Sequence, residues 1–375
     1  MSIHHSESEQ TSINKPKIAF VITSLTSGGA ERVLSTLANA FVETYHVIII
    51  TLYDVEPFYA LNSRITRISC KKQYNQNMNF VDSLSNNFSM VKGIYKIIKK
   101  EQIALAIGFM TTTNVYTILA CKLAKIPCLI SERTHPEYDP ISNFWSQIRQ
   151  KTYPYCSKLI IQTESIKGYF NNFLDANKLA VIKNPISDAL LKLHDDSIVK
   201  KQIILSVGRL DPVKNQQLLI EAFAEMNTEN WKIQIVGEGP LEPALAARIK
   251  QLNLEESVEL IGSVDGIHEY YNLAEIFAFT SNFEGFPNAL LEAMAFGLPC
   301  VSTNCPSGPS EVIDDGENGF LVPVGDKDML KRKLEILMTN PDLREKFGTA
   351  AKKSTAKYDT KNITKQWNKL ITEAL

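Results

Sequence analysis

Short apolar runs alternate with amphipathic stretches along most of this 375-residue chain, from Lys17 to about Val322. The runs are rich in β-branched and aromatic residues, which favours strands, whereas the stretches between them have the apolar spacing of helices. Continuous apolar strands of this kind are buried on both faces, so helices must cover the sheet from both sides. The pattern therefore predicts an α/β fold built from parallel βαβ units.

The apolar runs fall into two series. The first comprises Lys17–Thr23, a run from His46, a run from Ile103, Pro127–Glu132 and Lys158–Thr163. The segment that ends with Val181–Ile186 is predicted to be a strand that runs into a linker, because Asn184-Pro185 disfavours a helix at that point. The second series comprises Gln202–Arg209, a run from Trp231, a run from Val258, Ile276–Ser281 and Pro299–Thr303.

Two consecutive series predict two Rossmann-like domains with a cleft between them. We place the first domain at residues 15–185 and the second at 186–360, after a disordered polar tail at 1–14. Residues 361–375 are predicted to form a closing helix that packs back on the first domain. Ligands of such sheets bind beyond the carboxyl ends of the strands, so the functional residues should lie in the turns that lead into helices.

Charge is distributed unevenly, although the formal net charge is only −1. Residues 1–185 carry 20 Lys and Arg against 13 Asp and Glu, whereas residues 186–375 carry 20 against 28. A basic first half favours an anionic surface or substrate on that side, although ordinary scatter of surface charge would give the same counts.

The six cysteines show no C-x-x-C spacing, which indicates buried free thiols rather than zinc ligands or disulfides. The N-terminal segment is polar, unlike a secretory signal peptide. No stretch approaches the ~20 apolar residues that a membrane-spanning helix needs. These features predict a cytoplasmic protein.

Two basic residues follow the first strand of the second series. Arg209 ends that strand in the segment SVGRLDPVKN, and Lys214 comes five residues later. A paired arginine and lysine can stabilise a diphosphate leaving group as its bond to a sugar breaks, without a metal. Basic residues after strands are also common as solvated loop charges, so this pair alone does not decide the function.

A stronger signal is the segment SNFEGFPNALLEAMAFG, in which seven residues separate Glu284 from Glu292. Glu284 lies in a glycine-containing turn, and residues 288–296 are predicted to form a helix that ends at Gly297 and Pro299. Backbone N–H groups at the start of this helix would face an anion. Glu292, one to two turns inside, could accept hydrogen bonds from vicinal hydroxyls.

Six segments, spread over nearly the whole chain, together resemble glycosyltransferase family 4. In chain order they are SLTSGGAERVL, VIKNP, GRLDPVKN, VGEGPL, EGFPNALLEAMAFGLP and SGPSEVIDDGENGFLVP. The segment Ser27–Phe41 is similar to bacterial enzymes that add hexoses or N-acetylhexosamines during assembly of surface polysaccharides and lipid-linked glycans. The resemblance implies the GT-B fold, in which the two domains face each other across a cleft. It also implies a hexosyltransferase that retains anomeric configuration. The expected donor is a nucleotide sugar, with UDP ahead of GDP, and the expected acceptor is a glycan on a polyprenyl diphosphate.

The resemblance further implies roles for individual residues. Arg209 and Lys214 would hold the donor diphosphate, Glu284 would contact the transferred sugar, and Glu292 would bind the ribose hydroxyls. The first three are the expected catalytic residues. The remaining donor-binding residues would be Gly28, Gly29, Val264, Gly285, Phe286, Asn288, Ala289 and Leu290.

No metal or other cofactor is expected, because Arg209 and Lys214 would supply the positive charge that the diphosphate needs. We hypothesise that the departing phosphate itself takes the acceptor proton, so that no dedicated general base is required. The only D-x-D segment, Asp326 and Asp328, lies beside a predicted helix start, where N-capping explains it. EDTA-insensitive activity would agree with this expectation.

The acceptor side departs from the family pattern. Many members place a histidine after the strand that here leads into Ser131-Glu132-Arg133-Thr134-His135. Either Arg133 takes the place of that histidine, or the loop brings His135 inward. Glu132 and Arg133 are assigned to the acceptor side, with a structural ion pair between them as the alternative.

Residues 89–100 combine four lysines, Lys92, Lys96, Lys99 and Lys100, with apolar residues at helical spacing. Such a helix either lies on an anionic bilayer or packs its apolar stripe on the sheet. The resemblance to lipid-linked glycan enzymes favours peripheral contact with the cytoplasmic face of the inner membrane. No nucleic-acid partner is expected.

Three other classes fit parts of the pattern. A GT-B-fold epimerase or phosphorylase would share the two domains, but not the two glutamates together with GRLDPVKN. An NAD-dependent oxidoreductase would need G-x-G-x-x-G after the first strand, and Ser27-Gly28-Gly29-Ala30 does not match it. A non-catalytic partner subunit would have no need of all four charged residues.

Overall fold

The computed structural model describes residues 15–71 and 80–375, and these residues form two parallel β-sheets. The tail predicted at residues 1–14 lies outside the described residues. The strands of the first sheet are β1 Lys17–Ile22, β2 His46–Tyr53, β3 Thr66–Lys71, β4 Leu105–Phe109, β5 Cys128–Ser131, β6 Lys158–Ile161 and β7 Leu179–Val181. Their spatial order is β3-β2-β1-β4-β5-β6-β7, and neighbouring strands run parallel.

The second sheet repeats this topology with one strand fewer. Its strands are β8 Lys201–Val207, β9 Lys232–Val236, β10 Val258–Gly262, β11 Ala274–Phe279, β12 Cys300–Thr303 and β13 Phe320–Val322. Their order is β10-β9-β8-β11-β12-β13, which is the order of a Rossmann fold. The prediction of an α/β fold with two Rossmann-like domains is therefore confirmed. The units around the two sheets are called the first and the second domain below.

Helices cover both faces of each sheet, as continuous apolar strands require. Along β1, Ile18 and Phe20 face one hydrophobic core, whereas Ala19 and Val21 face another on the opposite side of the sheet. The helices are α1 Gly29–Phe41, α2 Phe80–Glu101, α3 Thr111–Ala124, α4 Asn143–Thr152, α5 Glu164–Phe170, α6 Asp188–Leu191, α7 Gln216–Phe223, α8 Glu242–Gln251, α9 Ile267–Leu273, α10 Asn288–Ala295, α11 Pro309–Val312, α12 Lys327–Thr339, α13 Pro341–Ser354 and α14 Thr360–Ala374.

Two strands are absent from the predicted set. Strand β3 lies at the edge of the first sheet, where Thr66 and Arg67 are exposed, so it lacks a continuous apolar run. Strand β13 has only three residues, too few for a pattern to stand out. Strand β7, Leu179–Val181, runs into the irregular connection between the domains, as predicted for the segment that ends with Val181–Ile186.

The chain crosses between the domains twice, at neighbouring points. The backbone N–H of Ile186 donates to the carbonyl of Tyr358 at 2.9 Å, and the Thr360 hydroxyl donates to the carbonyl of Ile186 at 2.8 Å. Beyond the second crossing, α14 lies on the first domain, where its Trp367 ring stacks on Phe109 with ring centres 6.0 Å apart. The last helix of the chain thus completes a core that the first strand begins.

The apolar stripe of α2 packs on the first sheet, which is the second of the two alternatives given by its sequence. Met90, Ile94 and Ile98 are at most 1% exposed and lie in the core beneath the helix. The lysines at positions 92, 96, 99 and 100 are exposed. The face that α2 offers to its surroundings is therefore charged rather than apolar.

The six cysteines are free thiols, and all except the half-buried Cys70 are buried, as predicted. Burial raises the pKa of Cys70 to about 11 and that of Cys156 to about 12, so these thiols stay protonated near neutral pH. No helix within residues 15–71 and 80–375 combines the length and the apolarity that crossing a bilayer demands.

Asp326 caps the start of α12, where its carboxylate accepts a hydrogen bond from the Met329 N–H at 2.8 Å. This confirms the capping role predicted for the D-x-D segment. Asp326→Ala should lower the free energy of unfolding by about 1 kcal/mol, because a backbone donor loses its partner. Urea denaturation followed by circular dichroism measures the change. Asp326→Asn retains a capping oxygen and should be nearly neutral, and equal losses in both variants would contradict the assignment.

Candidate functional site in the cleft

The two domains touch where α1 and α10 begin. A β-carbon placed on Gly29, at the start of α1, would lie 3.2 Å from Asn288 Nδ2, at the start of α10. A β-carbon on Gly285 would lie only 2.1 Å from the carbonyl oxygen of Arg133 in the first domain. Glycine at these positions therefore allows the two domains to approach closely. Predicted donor-binding residues from both halves of the chain meet at this contact.

Lys214 and Glu284 lie in direct contact, with Lys214 Nζ 2.5 Å from Glu284 Oε1. The loop that carries Lys214 is shaped by Asp211, whose carboxylate accepts hydrogen bonds from the N–H groups of Val213 at 3.0 Å and Lys214 at 3.1 Å. The methylene carbons of Lys214 pass 3.4 Å from the place of a β-carbon on Gly208. Two of the predicted catalytic residues are thus held together, although 70 positions separate them in the chain.

Arg209 stands apart from this pair in the same loop. Its side chain is 71% exposed, and its Nε lies 2.8 Å from Asp211 Oδ2. Solvent screens the exposed guanidinium, and Asp211 keeps the N–H groups of Val213 and Lys214 as donors when the guanidinium leaves. The guanidinium can therefore exchange Asp211 for an anionic ligand at small cost.

The segment from Gly285 to Leu290 offers mainly its backbone to the cleft. The side chains of Phe286 and Leu290 are buried in the core of the second domain. Asn288 is half-buried, and its Oδ1 accepts a hydrogen bond from Asn184 Nδ2 at 2.8 Å. The Ala289 carbonyl accepts a weak hydrogen bond from the Tyr271 hydroxyl at 3.4 Å. The start of α10 is therefore fixed from several sides, with its N–H groups at the positive end of the helix dipole.

Glu292 is buried and has partners on both carboxylate oxygens. Its Oε2 accepts a hydrogen bond from the Tyr271 hydroxyl at 3.1 Å, and its Oε1 forms an ion pair with Nη1 of Arg32. Arg32 belongs to α1, so this ion pair joins the two domains. Burial alone would lower the pKa of Arg32, but the adjacent Glu292 outweighs it and keeps the pKa raised.

The sequence predictions missed Arg32 and Asn184 as residues of the site. Arg32 lies in the motif SGGAERVL and Asn184 in VIKNP, so the motifs contained them but gave no reason to single them out. Tyr59 and Tyr271, which contact Arg32 and Glu292, lie outside every motif. Only the docking of the two domains brings these residues together.

Glu132 is enclosed within the first domain. It is 1% exposed, and its carboxylate accepts hydrogen bonds from the Tyr153 hydroxyl and, at 2.9 Å, from the Thr111 hydroxyl. Burial raises its pKa. In this conformation its carboxylate is enclosed, and these hydrogen bonds come from Tyr153 and Thr111 rather than from Arg133. The assignment of Glu132 to the acceptor side stays a prediction.

Arg133 and His135 point to different surroundings. Arg133 Nη1 donates to Asn184 Oδ1 at 2.6 Å, and its guanidinium lies 4.5 Å from the centre of the Phe109 ring. Burial lowers the pKa of Arg133 to about 9. His135 is buried, with its Nε2 3.0 Å from the Ser165 hydroxyl. Of the two residues, Arg133 is therefore the one connected to the start of α10, through Asn184 and Asn288.

The remaining predicted residues lie at the margins of the site. Val264 follows β10 and packs partly buried on the core of the second domain. Gly28 precedes α1, and its carbonyl accepts the Arg32 N–H at 3.0 Å. Within the described part of the chain, no three side chains of His, Cys, Asp or Glu are grouped as a metal ion would need.

Two family models match the chain in succession. Residues 27–190 match "Glycosyltransferase Family 4", and residues 194–354 match "Glycosyl transferases group 1". One curated relative from Campylobacter jejuni is 31% identical over 95% of this chain and 98% of its own length. It is named as the α-1,4-N-acetyl-D-galactosaminyltransferase of a GalNAc-GalNAc-diNAcBac-PP-undecaprenol. A second, from the same organism, is 31% identical over 93% of this chain and 97% of its own. It is named as an N-acetylgalactosamine-N,N'-diacetylbacillosaminyl-diphospho-undecaprenol 4-alpha-N-acetylgalactosaminyltransferase.

Solved structures share the fold at lower identity. Anabaena HepE, solved in complex with UDP, superimposes with a TM-score of 0.76 at 19% identity, over 95% of this chain and 100% of its own. This likeness confirms the two-domain architecture predicted from the sequence. The superposition extends over both domains and the connection between them.

Proposed function

Because the chain belongs to glycosyltransferase family 4 and has the GT-B fold, we propose that it is a retaining enzyme that transfers an N-acetylhexosamine or a hexose from a UDP-sugar to a glycan on a polyprenyl diphosphate. The observation that carries this proposal is the contact of Lys214 with Glu284 beside the start of α10, with Glu292 one turn further on. The two relatives at 31% identity, both named for acceptors on undecaprenyl diphosphate, support this acceptor class.

We assign the donor to the second domain. Lys214 and Arg209 would bind the diphosphate, together with the N–H groups of residues 285–290 at the start of α10. Glu284 would bind a hydroxyl of the transferred sugar, and Glu292 would bind the ribose. The loop with Val264 would contact the nucleobase, and Gly28 and Gly29 would close over the donor from the first domain. The acceptor would then enter from the first domain, on the side of Arg133.

The proposed mechanism follows from the charges that develop on the leaving group and on the sugar. When the bond from the anomeric carbon to the diphosphate breaks, negative charge develops on the departing oxygen, and positive charge develops on the sugar. Lys214 stabilises the negative charge on the departing oxygen, and Glu284 already holds the Lys214 ammonium at this place. The acceptor hydroxyl attacks from the face that the diphosphate leaves, and its proton passes to the departing oxygen. The proton is thus accounted for without a side-chain base, and the configuration is retained.

A screen of nucleotide sugars tests this proposal. UDP-N-acetylgalactosamine, UDP-N-acetylglucosamine, UDP-glucose, UDP-galactose and their GDP counterparts are compared by thermal shift. A ligand at ~100 times its dissociation constant stabilises by ~2.7 kcal/mol. The stabilising donor is then incubated with undecaprenyl-diphosphate-linked glycans, and proton NMR reports the anomeric configuration of the product. Stabilisation by no UDP-sugar, or a product of inverted configuration, would contradict the proposal.

Activity is expected to persist in EDTA. Asp326, the first residue of the D-x-D segment, is occupied in capping α12, and the proposed stabilisation of the diphosphate relies on Lys214 and Arg209. Transfer rates are measured with EDTA, with added Mg²⁺ and with added Mn²⁺. Rates within a factor of about two are expected, well under the tenfold that ~1.4 kcal/mol corresponds to. A strict requirement for Mn²⁺ would overturn this part of the proposal.

We further propose that the enzyme works at the cytoplasmic face of the inner membrane. The apolar stripe of α2 is buried in the domain, so the contact would rest on its exposed lysines and on anionic lipid headgroups. We expect co-sedimentation with phosphatidylglycerol vesicles at low salt, and loss of it when Lys92, Lys96, Lys99 and Lys100 are replaced by glutamine. Phosphatidylcholine vesicles are the control. Equal binding to phosphatidylglycerol and phosphatidylcholine vesicles, or binding to neither, would show that these lysines do not attach the protein to anionic lipid.

A further inference from the structure

Glu292 has no free carboxylate oxygen with which to receive a ribose. Oε1 is engaged by Arg32 and Oε2 by the Tyr271 hydroxyl, and the side chain is only 4% exposed. Each carboxylate oxygen has two lone pairs, but so little of this side chain is exposed that a further donor has almost no open approach to either oxygen. A ribose therefore needs the place at Oε1 that the guanidinium holds.

Arg32 comes from the opposite side of the cleft. It lies in the first turn of α1, its Nε donates to the Tyr59 hydroxyl at 3.3 Å, and that hydroxyl donates to the Ser27 carbonyl at 3.2 Å. The side chain of Arg32 is 26% exposed, so it has a way out towards solvent that Glu292 lacks. Tyr271, by contrast, is completely buried beneath α10. Of the two partners of Glu292, Arg32 is the one that can leave.

We propose that Arg32 is the counter-ion of the ribose-binding carboxylate in the empty enzyme, and that the donor binds by exchange. The ribose hydroxyls replace the guanidinium on Glu292, and the Arg32 side chain turns away from that carboxylate while Gly28 and Gly29 stay over the donor. This inference rests on the proposed function, because it takes Glu292 to be the ribose ligand. It adds a residue from the first domain to the donor site and makes Arg32 a positioning residue.

The physical reason for such an exchange is the cost of an unpaired buried charge. A carboxylate enclosed as Glu292 is would be strongly unfavourable without a cation or several donors. While the site is empty, Arg32 supplies the cation and a hydrogen-bond donor, and the ion pair joins the two domains. Two hydroxyl groups of a ribose supply hydrogen bonds in its place. Donor binding and this interdomain ion pair therefore exclude each other.

Uridine is the probe that isolates this step, because it carries the ribose and base without phosphate. Its affinity is measured by isothermal titration for the wild type, Arg32→Ala, Glu292→Gln and the double variant. Arg32→Ala should bind uridine about fivefold more tightly, equivalent to ~1 kcal/mol, because no ion pair has to be broken. Glu292→Gln should bind more weakly, and Arg32→Ala should add nothing in that background. A merely structural role of Arg32 would not produce this dependence on Glu292.

Arg64→Ala is the matched control, because it removes an arginine that pairs with Glu43 at the far end of α1. It should leave the uridine affinity unchanged. If Arg32→Ala does not fold, Arg32→Gln replaces it. Weaker or unchanged uridine binding in the Arg32 variant would overturn the exchange, provided that the wild type binds UDP. A wild type that binds neither uridine nor UDP would instead refute the proposed function, and this inference with it.

Discussion

Lys214→Ala is expected to lower kcat by about 10²–10³-fold, corresponding to the ~2.7–4 kcal/mol that is typical for loss of one group stabilising a developing charge. The ammonium of Lys214 contacts Glu284 and lies over the Phe279 ring at 5.5 Å, so the side chain is held in one position, beside which we propose that the leaving oxygen forms. Turnover with saturating donor measures the effect. Donor KM should change less than kcat, because the interaction strengthens as the bond breaks.

The control for this variant is Lys327→Ala. Lys327 also pairs with a glutamate of the second domain, Glu225, but on the surface away from the cleft. It should retain full activity. Lys214→Arg should recover part of the rate, because it restores the charge with a different shape. Near wild-type turnover in Lys214→Ala would remove this residue from the mechanism.

Gly285→Ala is expected to lower kcat/KM by about 100-fold, the loss that a misplacement of ~1 Å can produce. Its backbone conformation suits alanine, but the added β-carbon would lie 2.1 Å from the carbonyl oxygen of Arg133. Because that oxygen belongs to the backbone of the first domain, the cleft has to open to relieve the overlap. Steady-state kinetics report the loss, and small-angle scattering reports the more open domains.

Gly168→Ala is the matched control for the glycine variant. A β-carbon at this position of α5 would meet nothing within 4 Å. The change should leave activity unaltered and stabilise the helix by roughly 0.5–1 kcal/mol. If Gly285→Ala retained wild-type kcat/KM, close contact of the two domains at this point would not be needed for the reaction.

The residues that the sequence assigns to the donor fall into two local groups. Arg209 and Lys214 share one loop, and Glu284 and Glu292 share one turn and its helix. The spacing within each group follows from the strand before the loop, whereas the contact of Lys214 with Glu284, 70 positions away, comes from the fold. The alternation of strands and helices gave the two domains for the same reason, because each βαβ unit is a local pattern.

Contacts between the domains could not be predicted in this way. Arg32 and Glu292 are 260 positions apart, and nothing in the spacing around either residue specifies the other. The choice between Arg133 and His135 depends on Asn184 and Ser165, each of which comes from a different part of the chain. The two alternatives for α2 were likewise equal in sequence, because an apolar stripe fits a sheet as well as a bilayer.

The position of α14 bears on how the protein is made. Ile363, Trp367 and Ile371 complete a hydrophobic core that begins with Ile18 and Phe20. A ribosome releases the chain from its N-terminus, so the first domain leaves the exit tunnel long before its last helix does. This core of the first domain stays partly uncovered until the second domain has been synthesised. The closing contacts span almost the entire sequence, which is the kind of contact that slows folding. The first domain therefore reaches its final stability only after the second domain and α14 have been synthesised.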